Sequence, residues 1–298
     1  MRRMAIPTLK IAIAQIAPTL GDLKRNLALH QEAADRARAQ GDALVLFPEL
    51  SLTGYHLMDL VYDLGLDPAR AGELRALKQR SREIGILLGF VERSRDQRFY
   101  NAAAYLAGGK LRHRHRKVYL PTYQMFDEAR YFAPGDRFAP FALGPFRAGI
   151  LICEDAWHLS AGLIYALQGT DLLVLLANSP FQGGHRERKT SKLDVWRGFA
   201  QTLARYLTTY TCFVNRAGVE DGTTYTGGSC VFGPDGESLV QAKELEPDLV
   251  RVTLEVQRVR DARIHTPLLR DEKLHLLRET LDQLAAAEAT VHTRAGND

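Results

Sequence analysis

Apolar positions along the chain switch repeatedly between a short, dense run and a helical spacing. Leu9–Ile16 reads as a buried strand. It is followed by Leu23–Gln40, where Leu23, Leu27, Ala34 and Ala37 fall near one helical face, Asp22 can cap the start and Gly41 stops the end. Ala43–Phe47 is the next strand, and a second helix from about Gly72 to Glu83 leads into the strand Ile84–Val91. Asn101–Ala107 and Lys110–Arg116 read as a hairpin around Gly108-Gly109. After a long loop the pattern gives the strand Phe146–Ile152, the helix Ser160–Gln168, the strand Leu172–Ala177 and the helix Lys192–Tyr206. Strands at Thr211–Asn215, Gly228–Phe232, Ser238–Val240 and Leu249–Leu254 complete the series. Runs such as Leu172-Leu173-Val174-Leu175-Leu176 do not alternate, as expected for strands covered on both faces. The pattern therefore predicts a layered α/β architecture without internal repeats.

Composition narrows the class. With 298 residues, 46% of them hydrophobic, the chain can bury a substantial core, and we read it as one domain spanning 1–298. Its core would cover about residues 8–255, an arm and helix about 256–287, and the small, polar tail 288–298 is expected to be disordered. Lys and Arg number 39 against 35 Asp and Glu, a net charge of +4 that is too small and too dispersed to argue for nucleic acid. No apolar run approaches the roughly 20 residues that span a bilayer. Cys153, Cys212 and Cys230 show no CxxC spacing, and the opening MRRMAIPTLK has no secretory apolar core, so a reducing cytoplasm is the expected setting. The nine His residues show no ligand spacing, and neither a metal nor a cofactor is expected.

Three separated segments carry the candidate chemistry: PEL around Glu49, HRKVYLP around Lys117 and LICED around Cys153. Alone, each has an ordinary explanation. Cys153 could be a small buried hydrophobe, Glu49 a cap, and Lys117 one charge among Arg112, Arg114 and Arg116 on a solvated face. Together they supply a base, a fixed positive charge and a nucleophile, which is what amide cleavage through an acyl intermediate requires. Cys153 ends a strand and Glu154-Asp155-Ala156-Trp157 can open a helical turn, so the thiol is expected on an elbow ringed by backbone N–H groups. That placement, with Lys117 nearby, is expected to favour the thiolate.

FPELSLTGY, KVYLPTYQMFDEARYFAPGD and GILICEDAW, in that order, resemble the nitrilase superfamily of carbon–nitrogen hydrolases over about residues 8 to 255. Within it, LPTYQMFDEARYF, ICEDAW, NSPF and GGS are most similar to the glutamine amidohydrolase domain of glutamine-dependent NAD synthetases. The resemblance implies a four-layer α-β-β-α sandwich, catalytic Glu49, Lys117 and Cys153, and Glu128 as a second carboxylate that positions the lysine and substrate. Its implied substrate contacts are Tyr123, Glu154, Ser179 and Arg186. His185 stands where that branch more often has Lys or Arg, which puts glutamine itself in question. Thr226-Gly227-Gly228-Ser229-Cys230 lacks the Asp-Ser ending of an ATP pyrophosphatase loop, so the chain is not expected to adenylate anything by itself.

The function that follows is hydrolysis of a small carboxamide to carboxylate and ammonia. The alternatives are an ammonia-supplying glutaminase subunit of a separate ATP-dependent synthetase, or a nitrile-hydrolysing enzyme. The segments Trp157–Gln168 and Lys192–Tyr206 carry more apolar surface than two solvent-facing helices keep, and pairing through them would make a homodimer or a higher even-numbered assembly.

Overall fold

The structure, a computed structural model, describes residues 6–181 and 192–295, with side chains of the last helix as far as residue 287. One sheet contains β1 (Thr8–Gln15), β2 (Leu44–Leu46), β3 (Gly85–Arg93), β4 (Phe99–Ala107), β5 (Lys110–Arg116) and β14 (Asp248–Glu255), in the order β14-β1-β2-β3-β4-β5. The other contains β6 (Phe141–Leu143), β7 (Phe146–Ile152), β8 (Leu172–Ala177), β9 (Tyr210–Asn215), β12 (Cys230–Phe232) and β13 (Ser238–Gln241), in the order β13-β12-β9-β8-β7-β6. A separate hairpin joins β10 (Ala217–Glu220) to β11 (Thr223–Thr226). β1, β2 and β3 run parallel, as do β7, β8 and β9, so the centre of each sheet needs cover on both faces.

The two-residue period of β1 sorts its side chains between layers. Leu9, Ile11 and Ile13 join Ile150, Ile152, Val174 and Val214 in the core between the sheets. Ala12 and Ala14 turn the other way, toward Ala33, Ala34 and Ala37 of the helix Leu23–Ala39 and Leu74 and Leu77 of the helix Gly72–Arg80. On the opposite side, Ala161 and Tyr165 of the helix Leu159–Leu167 and Trp196, Ala200 and Leu203 of the helix Lys192–Leu207 cover the second sheet. The result is the expected α-β-β-α order. Among the described residues no helix is long and apolar enough to cross a membrane.

Asp22 caps the first helix as expected, its Oδ1 accepting from Arg25 N at 2.9 Å. The second helix ends at Arg80, short of Glu83, because the chain turns there to enter β3. The pattern did not reveal β6, the β10–β11 hairpin, or the short helices Val61–Leu64 and Glu128–Tyr131, which at three or four residues each are too short to establish a period. Beyond β14 come the helices Val256–His265, Leu268–Asp271 and Leu274–Ala295; the last extends into the stretch expected to be disordered.

Buried polar side chains hold the layers in register. Gln15, fully buried, donates from Nε2 to the carbonyls of Lys243 and Glu246 at 2.7 Å each, and its Oε1 accepts from Ser229 N at 2.9 Å and Ser229 Oγ at 2.8 Å. Every hydrogen-bonding position of that amide is used across the two sheets. His30 is also fully buried, with Nδ1 at 2.7 Å from Asn26 O, Nε2 at 2.9 Å from Ser51 Oγ and its ring stacked 4.2 Å from Phe47. It thereby ties the first helix to the segment that follows β2.

Burial lowers the His30 pKa from 6.5 to about 4, against a raising contribution from the Asn26 carbonyl. Between those values the unfolded chain binds a proton that the folded protein refuses, so stability falls as the pH drops through this window and is unaffected by His30 above it. Urea titrations at pH 7 and pH 4 are expected to show a loss of which roughly 3 kcal/mol belongs to His30. His30→Gln is expected to remove that share of the slope.

Candidate active site

The site is assembled where strand ends from the two sheets meet. After β2 the segment Pro48-Glu49-Leu50 passes directly over Gly89 of β3: Gly89 N donates to Pro48 O at 3.2 Å, and Leu52 N donates to Gly89 O at 3.2 Å. A Cβ at position 89 would lie 2.3 Å from Leu50 N, so the close approach requires glycine. Leu50 itself is held at φ +43°, a strained value for a branched side chain. Glu49 is then fixed on all sides. Oε1 accepts from Asn101 Nδ2 at 2.8 Å and Lys117 Nζ at 2.9 Å, Oε2 accepts from Asn178 N at 3.0 Å, and the Glu49 carbonyl accepts from Asn178 Nδ2 at 2.9 Å.

Lys117 leaves β5 with its N–H on Asn101 O at 2.8 Å and its carbonyl accepting from Gly135 N at 2.7 Å. Its side chain is 0% exposed, and Nζ donates a second hydrogen bond to Glu128 Oε1 at 2.7 Å. The same Glu128 oxygen accepts from Tyr55 OH at 2.7 Å, while Glu128 Oε2 has no partner among the described residues. Burial works against the ammonium, but Glu128 and Glu49 override it and hold Lys117 well above its ordinary value. Burial pushes the Glu49 carboxyl up, against the pull of Lys117. An ammonium carries three donors, so two carboxylate contacts leave one N–H for another acceptor.

Cys153 follows β7 at φ +46° and opens a single 3₁₀ turn, Cys153–Trp157. Strain at this position needs a strong anchor, and Asp155 provides it. Fully buried, its Oδ1 accepts from Val118 N at 2.9 Å and Tyr119 N at 3.0 Å, and its Oδ2 accepts from Ile152 N at 3.0 Å and lies 3.0 Å from His115 Nε2. One carboxylate thus locks the lysine-bearing segment to the cysteine elbow. The expectation of a resting thiolate does not hold. Burial and the charge of Glu49 together outweigh the attraction of Lys117 and raise the Cys153 thiol well above its ordinary value.

The outer part of the site is formed by Tyr123 and Glu154, joined by a hydrogen bond from Tyr123 OH to Glu154 Oε2 at 2.8 Å. Burial and that contact push the phenol up to about 12. Ser179 is buried, its N–H donating to Asn215 Oδ1 at 2.9 Å and its hydroxyl left without a partner among the described residues. Arg186 lies outside the described residues. The structure therefore brings together Glu49, Lys117, Glu128 and Cys153 with Tyr123 and Glu154 beside them. Sequence reasoning missed Tyr55, Asn101, Asp155 and Asn178. Asp155 directly follows Glu154 and Asn178 directly precedes Ser179, so both lay inside motifs already singled out; Asn101 sat unnoticed at the head of a strand.

Two facing six-stranded sheets whose strand ends gather carboxylates, an ammonium and a thiol define a hydrolase acting on carbon–nitrogen bonds. The chain belongs to the carbon-nitrogen hydrolase family, whose profile matches residues 10–264. It is 33% identical over 253 residues to the glutamine-dependent NAD(+) synthetase of Thermotoga maritima, covering 83% of this chain and 42% of that protein. The corresponding enzyme of Acinetobacter baylyi is 29% identical over 255 residues, covering 86% of this chain and 46% of the relative. This chain thus spans somewhat under half the length of those relatives. Among solved structures, glutamine-dependent NAD+ synthetase from Acinetobacter baumannii superimposes with a TM-score of 0.75 at 29% identity, over 85% of this chain and 46% of that one. An amidase from Nesterenkonia sp. AN1, solved in complex with acrylamide, shares the fold over 94% of this chain and 98% of its own, with a TM-score of 0.77 and 22% identity.

Asp155→Asn keeps the shape but offers one acceptor oxygen and turns an NH₂ toward groups that themselves donate. It is expected to cost about 3 kcal/mol of stability in urea titration. Unchanged stability would show that Asp155 does not anchor the elbow.

Proposed function

We propose that the protein hydrolyses a small carboxamide to carboxylate and ammonia through a thioester on Cys153, with glutamine as the substrate that its relatives suggest. The observation that carries this reading is Lys117, buried and held by both Glu49 at 2.9 Å and Glu128 at 2.7 Å next to a cysteine on a strained elbow. The thiol is protonated at rest, so the attack on the carbonyl carbon must be accompanied by transfer of its proton to Glu49. The tetrahedral oxyanion then meets the remaining N–H of Lys117 and the backbone N–H of Glu154. Glu49 returns the proton to the amide nitrogen, ammonia leaves, and Cys153 keeps the acyl group. Water gives its proton to Glu49 as it attacks the thioester, the acid departs, and the proton goes back to sulfur. Glu128 holds no reacting atom in this sequence and positions Lys117.

Glutamine is supported by the names of the relatives and by Tyr123 and Glu154, which set a carboxylate beside the cysteine where an α-ammonium could bind. A second reading, supply of ammonia to a separate ATP-dependent synthetase, is supported by the relatives named as glutamine-dependent synthetases. Three free thiols accord with a cytoplasmic setting.

Cys153→Ala is expected to reduce ammonia release across an amide panel by on the order of 10⁴-fold, with melting unchanged. Glu49→Gln, which removes the base of both half-reactions, is expected to be equally inactive, and intact-mass measurements on the wild type with a slow amide should find the acyl adduct on Cys153. An adduct on Cys212 or Cys230 would overturn the assignment.

Assembly follows from the outer faces. Leu159 is 70% exposed, and Ile164, Leu167 and Tyr206 lie exposed on the same helix layer whose other side covers the second sheet. A homodimer or higher even-numbered assembly through this layer would bury them. Light scattering at micromolar concentration is expected to give at least twice the mass of the 33.3 kDa chain, and a monomer mass would exclude it.

A further inference from the structure

The β10–β11 hairpin is bonded to the segments that carry Tyr55 and Ser179, and the catalytic scheme leaves it unused. Phe181 N donates to Thr224 O at 2.6 Å and Thr226 N donates to Ser179 O at 3.2 Å, so the chain beyond Asn178 runs beside β11 with Pro180 opposite Tyr225. Tyr225 is 0% exposed. Its ring lies 4.2 Å from the Arg216 guanidinium and 6.2 Å from the His56 ring. Arg216, also fully buried, pairs with Glu220 Oε2 and donates to Pro18 O at 3.1 Å. Glu220 Oε1 accepts from the backbone N–H groups of Tyr55 at 2.8 Å and His56 at 2.9 Å, and the Tyr55 hydroxyl reaches Glu128. The phenol is clamped into a network that ends on the carboxylate holding Lys117.

For all this fixation, the Tyr225 hydroxyl has no hydrogen-bond partner among the described residues. A buried hydroxyl without a partner is destabilising, and phenylalanine would fill the same space without that penalty. The rest of the network explains the ring and not the oxygen. Burial, and then the negative charges of Glu220 and Glu49, raise the phenol well above its ordinary value despite Arg216. The hydroxyl is therefore neutral, able both to donate and to accept, and its strand is bridged to Pro180, two residues beyond the Asn178 that bonds Glu49.

We propose that Tyr225 contacts the substrate at the reacting carboxamide, its oxygen accepting the amide N–H that Glu49 does not take and then holding the water that replaces ammonia. This assignment rests on the hydrolase reading above. A primary amide nitrogen carries two N–H groups; Glu49 can accept one, and the second needs a neutral acceptor that will not trap ammonia as a tight ion pair. A phenol meets that requirement better than a further carboxylate.

The test is Tyr225→Phe, which keeps the ring and its stacking on Arg216. Melting is expected to be unchanged or raised, while kcat/KM falls about 10- to 100-fold, by the same factor for glutamine and for a simple aliphatic amide. The iodoacetamide alkylation rate of Cys153 should stay within about twofold of wild type, because the nucleophile and Lys117 are untouched. A kcat/KM within twofold of wild type would overturn the proposal, as would a loss confined to glutamine or a fall in melting parallel to the fall in activity. Failure of the underlying hydrolase reading is seen separately, as wild-type protein that releases no ammonia from any amide, and the assignment falls with it.

Discussion

A lysine side chain with no exposure to water cannot stay charged without compensation, and at Lys117 that compensation comes from two carboxylates at hydrogen-bond distance. Much of the site depends on this arrangement. Glu49 follows β2, Lys117 follows β5 and Glu128 opens a short helix beyond a long loop, so the cluster forms only when the first sheet has its strands in order. Removing either carboxylate would strand a buried charge, whereas the intact set keeps the ammonium fixed. In the proposed mechanism such a group is already oriented before the oxyanion appears, which is what electrostatic catalysis needs.

Strain and close approach are concentrated around that cluster. Leu50 and Cys153 both adopt left-handed backbone angles, and Gly89 accepts a neighbour that no side chain would tolerate. These distortions are maintained by buried polar anchors: Asn178 on both the backbone and side chain of Glu49, and Asp155 across the lysine and cysteine segments. The apolar layers supply stability, while the polar anchors convert it into geometry.

The protonated state of Cys153 changes how such a site works. A permanent thiolate would be buried beside Glu49 with only part of the Lys117 charge to offset it. Keeping the proton on sulfur avoids that repulsion, and in the proposed mechanism it makes Glu49 the shuttle for each step. In the proposed scheme the Tyr123–Glu154 pair and the buried Tyr225 border a centre whose own groups exchange one proton among themselves.

The layered architecture was legible in the sequence because strand and helix periods are local. The strands Phe146–Ile152 and Leu172–Ala177 appear in the structure as their apolar runs predicted, and Asp22 caps the helix it precedes. The identities of Glu49, Lys117, Glu128 and Cys153 were legible because each sits in a distinctive local motif. Their contacts were not, since Glu49 and Lys117 are 68 residues apart and nothing local encodes a 2.9 Å hydrogen bond. Likewise, Asp155 and Asn178 look like ordinary polar residues until folding removes water from them and leaves Asp155 with backbone N–H groups, and Asn178 with the carboxylate and carbonyl of Glu49, as partners. The thiol illustrates the same limit: a lysine in the same motif set suggested a thiolate, and only the tertiary structure showed that burial and Glu49 outweigh it. Sequence determined which groups are present and which local segments carry them; the degree of desolvation, and hence their charge states, arose from three-dimensional packing alone.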